Sequence, residues 1–249
     1  MVMKMYNKIT KNKPLGVLLF LMAVIGIAII IIRLATYQFE FDAKYSPIDY
    51  GRFKLVTYFT IQSNFFACIY FIIVSLGIFG NERAQKIGFN STLGALVTLY
   101  VFIAGVVYNA GFPMKMTPPL TFDTAYHFFV SFMQIYFHMI MATTVLVLWF
   151  FPFKNDKLGA KCILLSGLYP FVYSVFSIIR GTYFTNPAYY PYPFYNPEFV
   201  WQTFMKDKPF NIAGAYGFLS LLLVFGIGLF MAICAILVLI HNKRINSEA

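Results

Sequence analysis

Six long, predominantly apolar runs constrain this chain more than any other feature. They cover residues 15–32, 55–79, 93–112, 125–151, 160–179 and 212–240. A hydrocarbon core takes about 20 helical residues to cross, and each run is long enough. The longest gap between them holds about 32 residues, too few for a separate domain of typical size. The fold expected is all-α: a polytopic membrane bundle of six transmembrane helices forming a single integral membrane domain over 1–249.

Composition agrees. Hydrophobic types make up 60% and charged types 11%, against roughly 45–50% and about 25% in soluble chains. A soluble enzyme, a disordered chain and a disulfide-stapled module are excluded on these grounds. A membrane β-barrel would alternate apolar and polar residues along each strand, and these runs do not. The cysteines Cys68, Cys162 and Cys234 form no C-x-x-C pair, so no zinc or disulfide framework is expected. No cofactor is expected.

The net charge of +10 reads as loop charge that sets topology, not as a nucleic-acid footprint. The face carrying the termini holds 11 Lys and Arg, and the other face 8. This bias predicts cytoplasmic termini in the cell membrane. The first run follows four lysines, as a signal peptide would, but Arg33 closes it without a small-residue cleavage site. It reads as an uncleaved helix.

The polar residues inside the runs are more informative. Thr60, Ser63, Asn64 and Ala67 recur at helical spacing on one face of the second run. His127, Ser131, Gln134 and His138 do so on the fourth, and Ser166, Tyr173, Ser177 and Arg180 on the fifth, where Pro170 predicts a kink. The third run adds Asn109. Polar groups avoid lipid tails, so these stripes should face one another. Singly, such residues commonly serve as hydrogen-bonding glue between helices. His138 stands apart, because it lies mid-span, where burying an ionisable group is costly. Runs one and six carry little polarity beyond small Gly and Ser, and should face lipid or pack through those small residues.

A single His among hydroxyls makes no metal cage, but it suits nucleophilic catalysis. A hydroxyl is a weak nucleophile until an adjacent base takes its proton, and His titrates near operating pH. Thr60 and His138 are therefore the candidate catalytic pair. Asn64, Gln134, Asn109 and Ser63 are candidate oxyanion donors or polar support. Arg180, Tyr173 and His127 are candidate substrate contacts. From the span starts, Thr60 and His138 differ in depth by roughly 12 Å at about 1.5 Å per residue. Helix tilt, or a second helix that starts before Leu55, would remove that offset; otherwise His127 is the better-levelled partner. Asp123 and His127, four residues apart, could pair.

The segment 182–212 holds five of the twelve prolines and eleven aromatics, centred on Tyr189-Tyr190-Pro191-Tyr192-Pro193-Phe194-Tyr195. It reads as a lid on the membrane face, or as an aromatic belt at headgroup level.

Several strings in this order resemble bacterial integral membrane proteins of the probable six-transmembrane family. They are Tyr58-Phe59-Thr60-Ile61-Gln62-Ser63-Asn64, His138 with Trp149 eleven residues on, Tyr169-Pro170, Arg180-Gly181, and Tyr190-Pro191-Tyr192-Pro193-Phe194. That family is distantly similar to the androgen-induced protein family, multi-span threonine hydrolases that cleave fatty acid esters of hydroxy fatty acids. The resemblance implies Thr60 as nucleophile and His138 as its base. It departs at Ala142, where the pattern has Pro, and at Leu148, where it has an acid.

The function expected is an intramembrane hydrolase of fatty acyl esters, with a membrane lipid or lipid ester as partner and no nucleic acid. The alternative is a non-enzymatic small-solute transporter or lipid-binding sensor. The oligomeric state is left open.

Overall fold

The structure, a computed structural model, describes residues 12–38, 51–111, 119–150, 157–185, 188–206 and 208–246. Among these residues the regular structure is entirely helical. Six helices are long and apolar enough to cross a membrane. The chain is an all-α, multi-pass membrane bundle.

The first span is α1 (Lys13–Ala35), capped by the Asn12 side chain on the Leu15 amide. A 3-10 turn (Arg52–Thr57) and the extended residue Tyr58 lead into α2 (Phe59–Ile78). The short α3 (Glu82–Gly88) turns the chain into α4 (Ser91–Gly111). The fourth span joins α5 (Ala125–Ile135) and α6 (Met141–Trp149) through a π segment (Tyr136–Ile140). The fifth runs from α7 (Ala160–Ile179) into a second π segment (Arg180–Phe184). Then come α8 (Pro197–Met205) and the last span, α9 (Ile212–Asn246).

The expected spans are all present, with shifted ends. The second α-helix starts at Phe59, four residues later than its apolar run, because residues 52–57 form the 3-10 turn. The fifth span extends to Phe184 and the sixth to Asn246. Expected ends at Phe112 and Phe151 lie outside the described residues.

α4 is central and touches α2, the fourth span, α7 and α9, while α1 packs on α2 and α9 on α7. One core joins α1, α2, α4 and the fourth span through residues such as Leu19, Phe71, Val101 and Phe137. A second joins α4, α7 and α9 through Leu99, Cys162 and Cys234. The outward faces of α1 and α9 are apolar and open; Phe225 is 72% exposed and Ile31 60%. These are lipid-facing surfaces. Arg33, read from sequence as the end of the first run, is in fact buried. Its guanidinium donates to the Tyr126 hydroxyl and lies over the Tyr37 and Tyr126 rings. A long cationic side chain tolerates this depth only with partners of that kind.

Without a hydrophobic drive between helices in lipid, close packing does the work, and small residues permit it. Ser75 Oγ donates to the Gly16 carbonyl at 2.7 Å, and Tyr136 Oη to the Met22 carbonyl at 2.5 Å. A Cβ on Gly26 would stand 2.6 Å from Cys68 Sγ, whereas one on Gly228 of α9 would meet nothing within 4 Å. Gly26→Ala should therefore cost about 1–3 kcal/mol by overpacking. Gly228→Ala should be neutral or stabilising by up to about 1 kcal/mol through helix propensity. Thermal unfolding of both variants in detergent checks this; equal melting temperatures would contradict the packing.

Candidate active site

The site begins where α2 begins. Phe59, its first residue, is buried in a box of rings: Tyr169 at 5.2 Å between centroids, Tyr173 at 5.4 Å, Phe230 at 5.8 Å and Tyr100 at 6.3 Å. These rings come from near the middle of α7, α9 and α4. The first turn of α2 therefore points into the bundle. A helix N-terminus carries amides with no intrahelical partner, and lipid-depth backbone must be satisfied within the protein. Side chains satisfy carbonyls of the entry turn that precedes α2. Tyr173 Oη donates to the Thr57 carbonyl at 2.7 Å, and Gln62 Nε2 to the Val56 carbonyl at 2.9 Å. Tyr169 Oη in turn donates to Gln62 Oε1 at 2.7 Å.

This placement removes the depth offset expected from the sequence. Thr60, the second residue of α2, has its Oγ1 3.3 Å from His138 Nε2. His138 is buried and sits in the middle of the π segment of the fourth span. Within that segment the Met141 amide reaches back five residues to the Tyr136 carbonyl. Such π turns are rare and concentrate at functional sites.

The hydrogen bonds of His138 define its proton. Nδ1 lies 3.0 Å from the Gln134 carbonyl oxygen, which can only accept. Nδ1 therefore carries the hydrogen, and Nε2 presents a lone pair to the Thr60 hydroxyl. The ring is stacked on Tyr108, with centroids 3.6 Å apart and an 11° angle between planes. The His138 carbonyl accepts from Asn109 Nδ2 at 3.2 Å, and the same Asn109 nitrogen donates to the Gly105 carbonyl at 2.8 Å. A Cβ on Gly105 would lie 2.7 Å from the His138 carbonyl oxygen. Glycine is required there for α4 to approach this closely. His138 is thus fixed in tautomer, ring plane and backbone position.

The other candidates divide. Ser63 Oγ and Asn64 Nδ2 both donate to the Thr60 carbonyl, at 3.2 and 2.9 Å. They brace the backbone of Thr60; among the described residues Asn64 Oδ1 is buried with no partner. Gln134 acts through its carbonyl, and Asn109 behind the histidine. Tyr173 braces the entry turn. Ser131 is bonded in both directions to Thr121, which ties down the segment before α5. Ser166 Oγ donates to the Ile163 carbonyl within its own helix. His127 is not brought to Thr60. Its Nδ1 pairs with Asp123 Oδ1 at 2.6 Å, with the carboxylate exposed, and this bond holds the Asp123 carboxyl below its usual range. Among the described residues no third ligand joins that pair.

Sequence reasoning missed two tyrosines. Tyr108 is the ring under His138, adjacent in sequence to Asn109. Tyr192 belongs to the aromatic segment, which packs over the start of α2. The Tyr192 ring meets Tyr58 edge-on at 5.8 Å, Tyr189 Oη donates to Tyr58 Oη at 3.2 Å, and Ser174 Oγ is 2.9 Å from Tyr195 Oη. The Tyr192 phenol lies near the first residues of α2, Phe59 and Thr60. Burial pushes this phenol up to about 12, and those two residues pull against the rise.

Nitrogen-15 spectra of the imidazoles, assigned by comparison with His138→Gln, check the tautomer. At neutral pH His138 should show one protonated nitrogen, Nδ1, and the Nε2 signal should move in Thr60→Val. A protonated Nε2 would contradict the geometry. In comparisons with known proteins the chain matches no family model, no curated protein and no solved structure.

Proposed function

We propose that this protein is an intramembrane hydrolase of lipid esters, with Thr60 as nucleophile and His138 as general base. The observation that carries the proposal is the alignment of Thr60 Oγ1 on the lone-pair nitrogen of His138, 3.3 Å away, with the other nitrogen held by a carbonyl. This is the nucleophile–base–orienter arrangement of covalent hydrolases, at a distance usual before substrate binds. The activity implied by the sequence resemblance agrees with it.

The steps follow from these groups. Thr60 Oγ attacks the acyl carbon while its proton passes to His138 Nε2. The carbonyl oxygen becomes an oxyanion beside the start of α2, where the amides of Phe59 and Thr60 are free of intrahelical bonds and the helix dipole is positive. Two such donors suit an oxyanion; loss of one donor typically costs about 10²–10³ in rate. The imidazolium returns the proton to the leaving alkoxide, and the alcohol departs. Water then attacks the acyl-threonine and gives a proton to Nε2. The acyl–oxygen bond breaks, Thr60 regains its hydrogen, and the fatty acid is released. The aromatic segment packs over this position through the Tyr192 ring against Tyr58, as expected of a cover over the site.

Thr60→Ala should abolish labelling of the purified protein by a fluorophosphonate probe. His138→Ala should slow it by about 10²–10⁴-fold, with melting temperature held as the control for folding. Labelling that persists in Thr60→Ala would contradict the assignment and favour the alternative, a transporter or lipid sensor using the same polar interior without covalent chemistry.

The lysine and arginine bias supports insertion in the cell membrane with both termini cytoplasmic, so that Thr60 approaches the outer side. A cysteine placed at Lys208 should react with an impermeant maleimide on intact cells, and one at Asn81 only after lysis. The reverse pattern would invert the topology.

A further inference from the structure

Arg180 opens the π segment at the end of α7. Its guanidinium lies over the Tyr189 ring, 5.4 Å from the centroid. The side chain is half-buried; its Nη1 is fully buried and among the described residues meets no acceptor. Among the described residues no carboxylate pairs with it. Arginine stays charged in proteins and offers five donors. A buried donor of a permanent cation without an acceptor is a costly arrangement, and native structures rarely keep one without a reason.

The surroundings are built to hold that guanidinium in place. A Cβ on Gly181 would stand 2.3 Å from the Tyr190 ring and 2.9 Å from the Tyr189 carbonyl oxygen. Only glycine lets residues 189 and 190 lie against the helix end. Thr185 Oγ1 accepts from the Tyr189 amide at 2.8 Å and donates to the Gly181 carbonyl at 3.0 Å. These bonds fix the Tyr189 ring beneath the cation. The Tyr189 hydroxyl then reaches Tyr58, two residues before Thr60. Arg180, Tyr189 and Tyr58 thus form a run of contacts that ends two residues before Thr60.

We infer that Arg180, backed by the Tyr189 ring, binds the anionic group of a lipid whose ester is presented to Thr60. The inference rests on the hydrolase reading for the identity of the bound lipid as substrate. The ligand chemistry is a carboxylate or phosphate, either of which fits the planar fork of a guanidinium with two parallel hydrogen bonds. A cation this close to the aromatic segment selects amphiphiles with an anionic head over neutral esters. Recognition at a point remote from the reacting carbon is a usual way to orient a substrate.

Binding is best read in the Thr60→Ala variant, which separates it from catalysis. Its thermal stability in detergent is titrated with oleate, 1-oleoyl lysophosphatidate, monoolein or inorganic phosphate. Oleate or lysophosphatidate should stabilise it saturably, and the tighter of the two identifies the headgroup chemistry. Adding Arg180→Gln should raise the apparent Kd for that lipid at least tenfold, and Arg180→Lys should restore part of it. Monoolein should show no dependence on residue 180. Equal affinities in Thr60→Ala with and without Arg180→Gln would overturn the inference. So would an Arg180-dependent shift with inorganic phosphate alone, because the ligand would then be a free anion. Either result leaves the fluorophosphonate test of Thr60 standing, so the two readings fail separately.

Discussion

The site depends on one constraint: the amino end of α2 lies inside the bundle. At lipid depth an exposed amide or carbonyl has no water to bond, so a sunken helix start has to be surrounded by protein donors and acceptors. The chain supplies them from four directions. Tyr173 reaches the Thr57 carbonyl, Gln62 reaches back to Val56, Tyr169 holds Gln62, and the aromatic segment brings Tyr192 over the start of α2. Phe59 anchors the turn by filling a box of rings from three other spans. The buried helix start puts positive dipole beside Thr60, at the depth where the fourth span places His138. The first amides of α2 have no intrahelical partner, and in the proposed function a reacting ester carbonyl would use them.

The second element is the precision with which His138 is held. A neutral imidazole in a low-dielectric interior is useful as a base only if the correct nitrogen faces the nucleophile. The Gln134 carbonyl sets the tautomer, Tyr108 sets the ring plane, and Asn109 with Gly105 sets the backbone. Three of these four residues belong to α4, the central helix. Its close approach to the fourth span is therefore as much a part of the site as the dyad itself. Tyr108 stacked on the ring also stabilises an imidazolium when one forms, because the face of an aromatic ring is negative.

Much of this was legible in the sequence, for a physical reason. Lipid penalises polar side chains strongly, so the few present inside spans stand out, and helical spacing groups them. Thr60, Asn64 and His138 were visible in that way, and so were the six spans. What was hidden depends on quantities that spacing does not encode. The depth at which α2 begins, with Phe59 among rings of three other spans, brings Thr60 to His138 despite the offset counted along the sequence, and His127, the better-levelled residue on paper, pairs with Asp123 instead. The π segment at His138 has no sequence signature. Tyr108 was lost among 30 Phe, 18 Tyr and 2 Trp, and Tyr192 was read only as part of the aromatic segment, not as a neighbour of Tyr58 at the start of α2. Arg33 read as a span-end charge, yet it is buried against two tyrosine rings.

The central claim is that Thr60 becomes acylated with His138 as its base. Its most direct test is to mix the protein with a medium-chain 4-nitrophenyl ester, quench in acid within the first turnovers, and map the acyl group by peptide mass spectrometry. The account predicts an acyl mass on the peptide containing Thr60, and none accumulating on that peptide in His138→Ala. Ester turnover with no acyl group on Thr60, or equal acylation without His138, would contradict it.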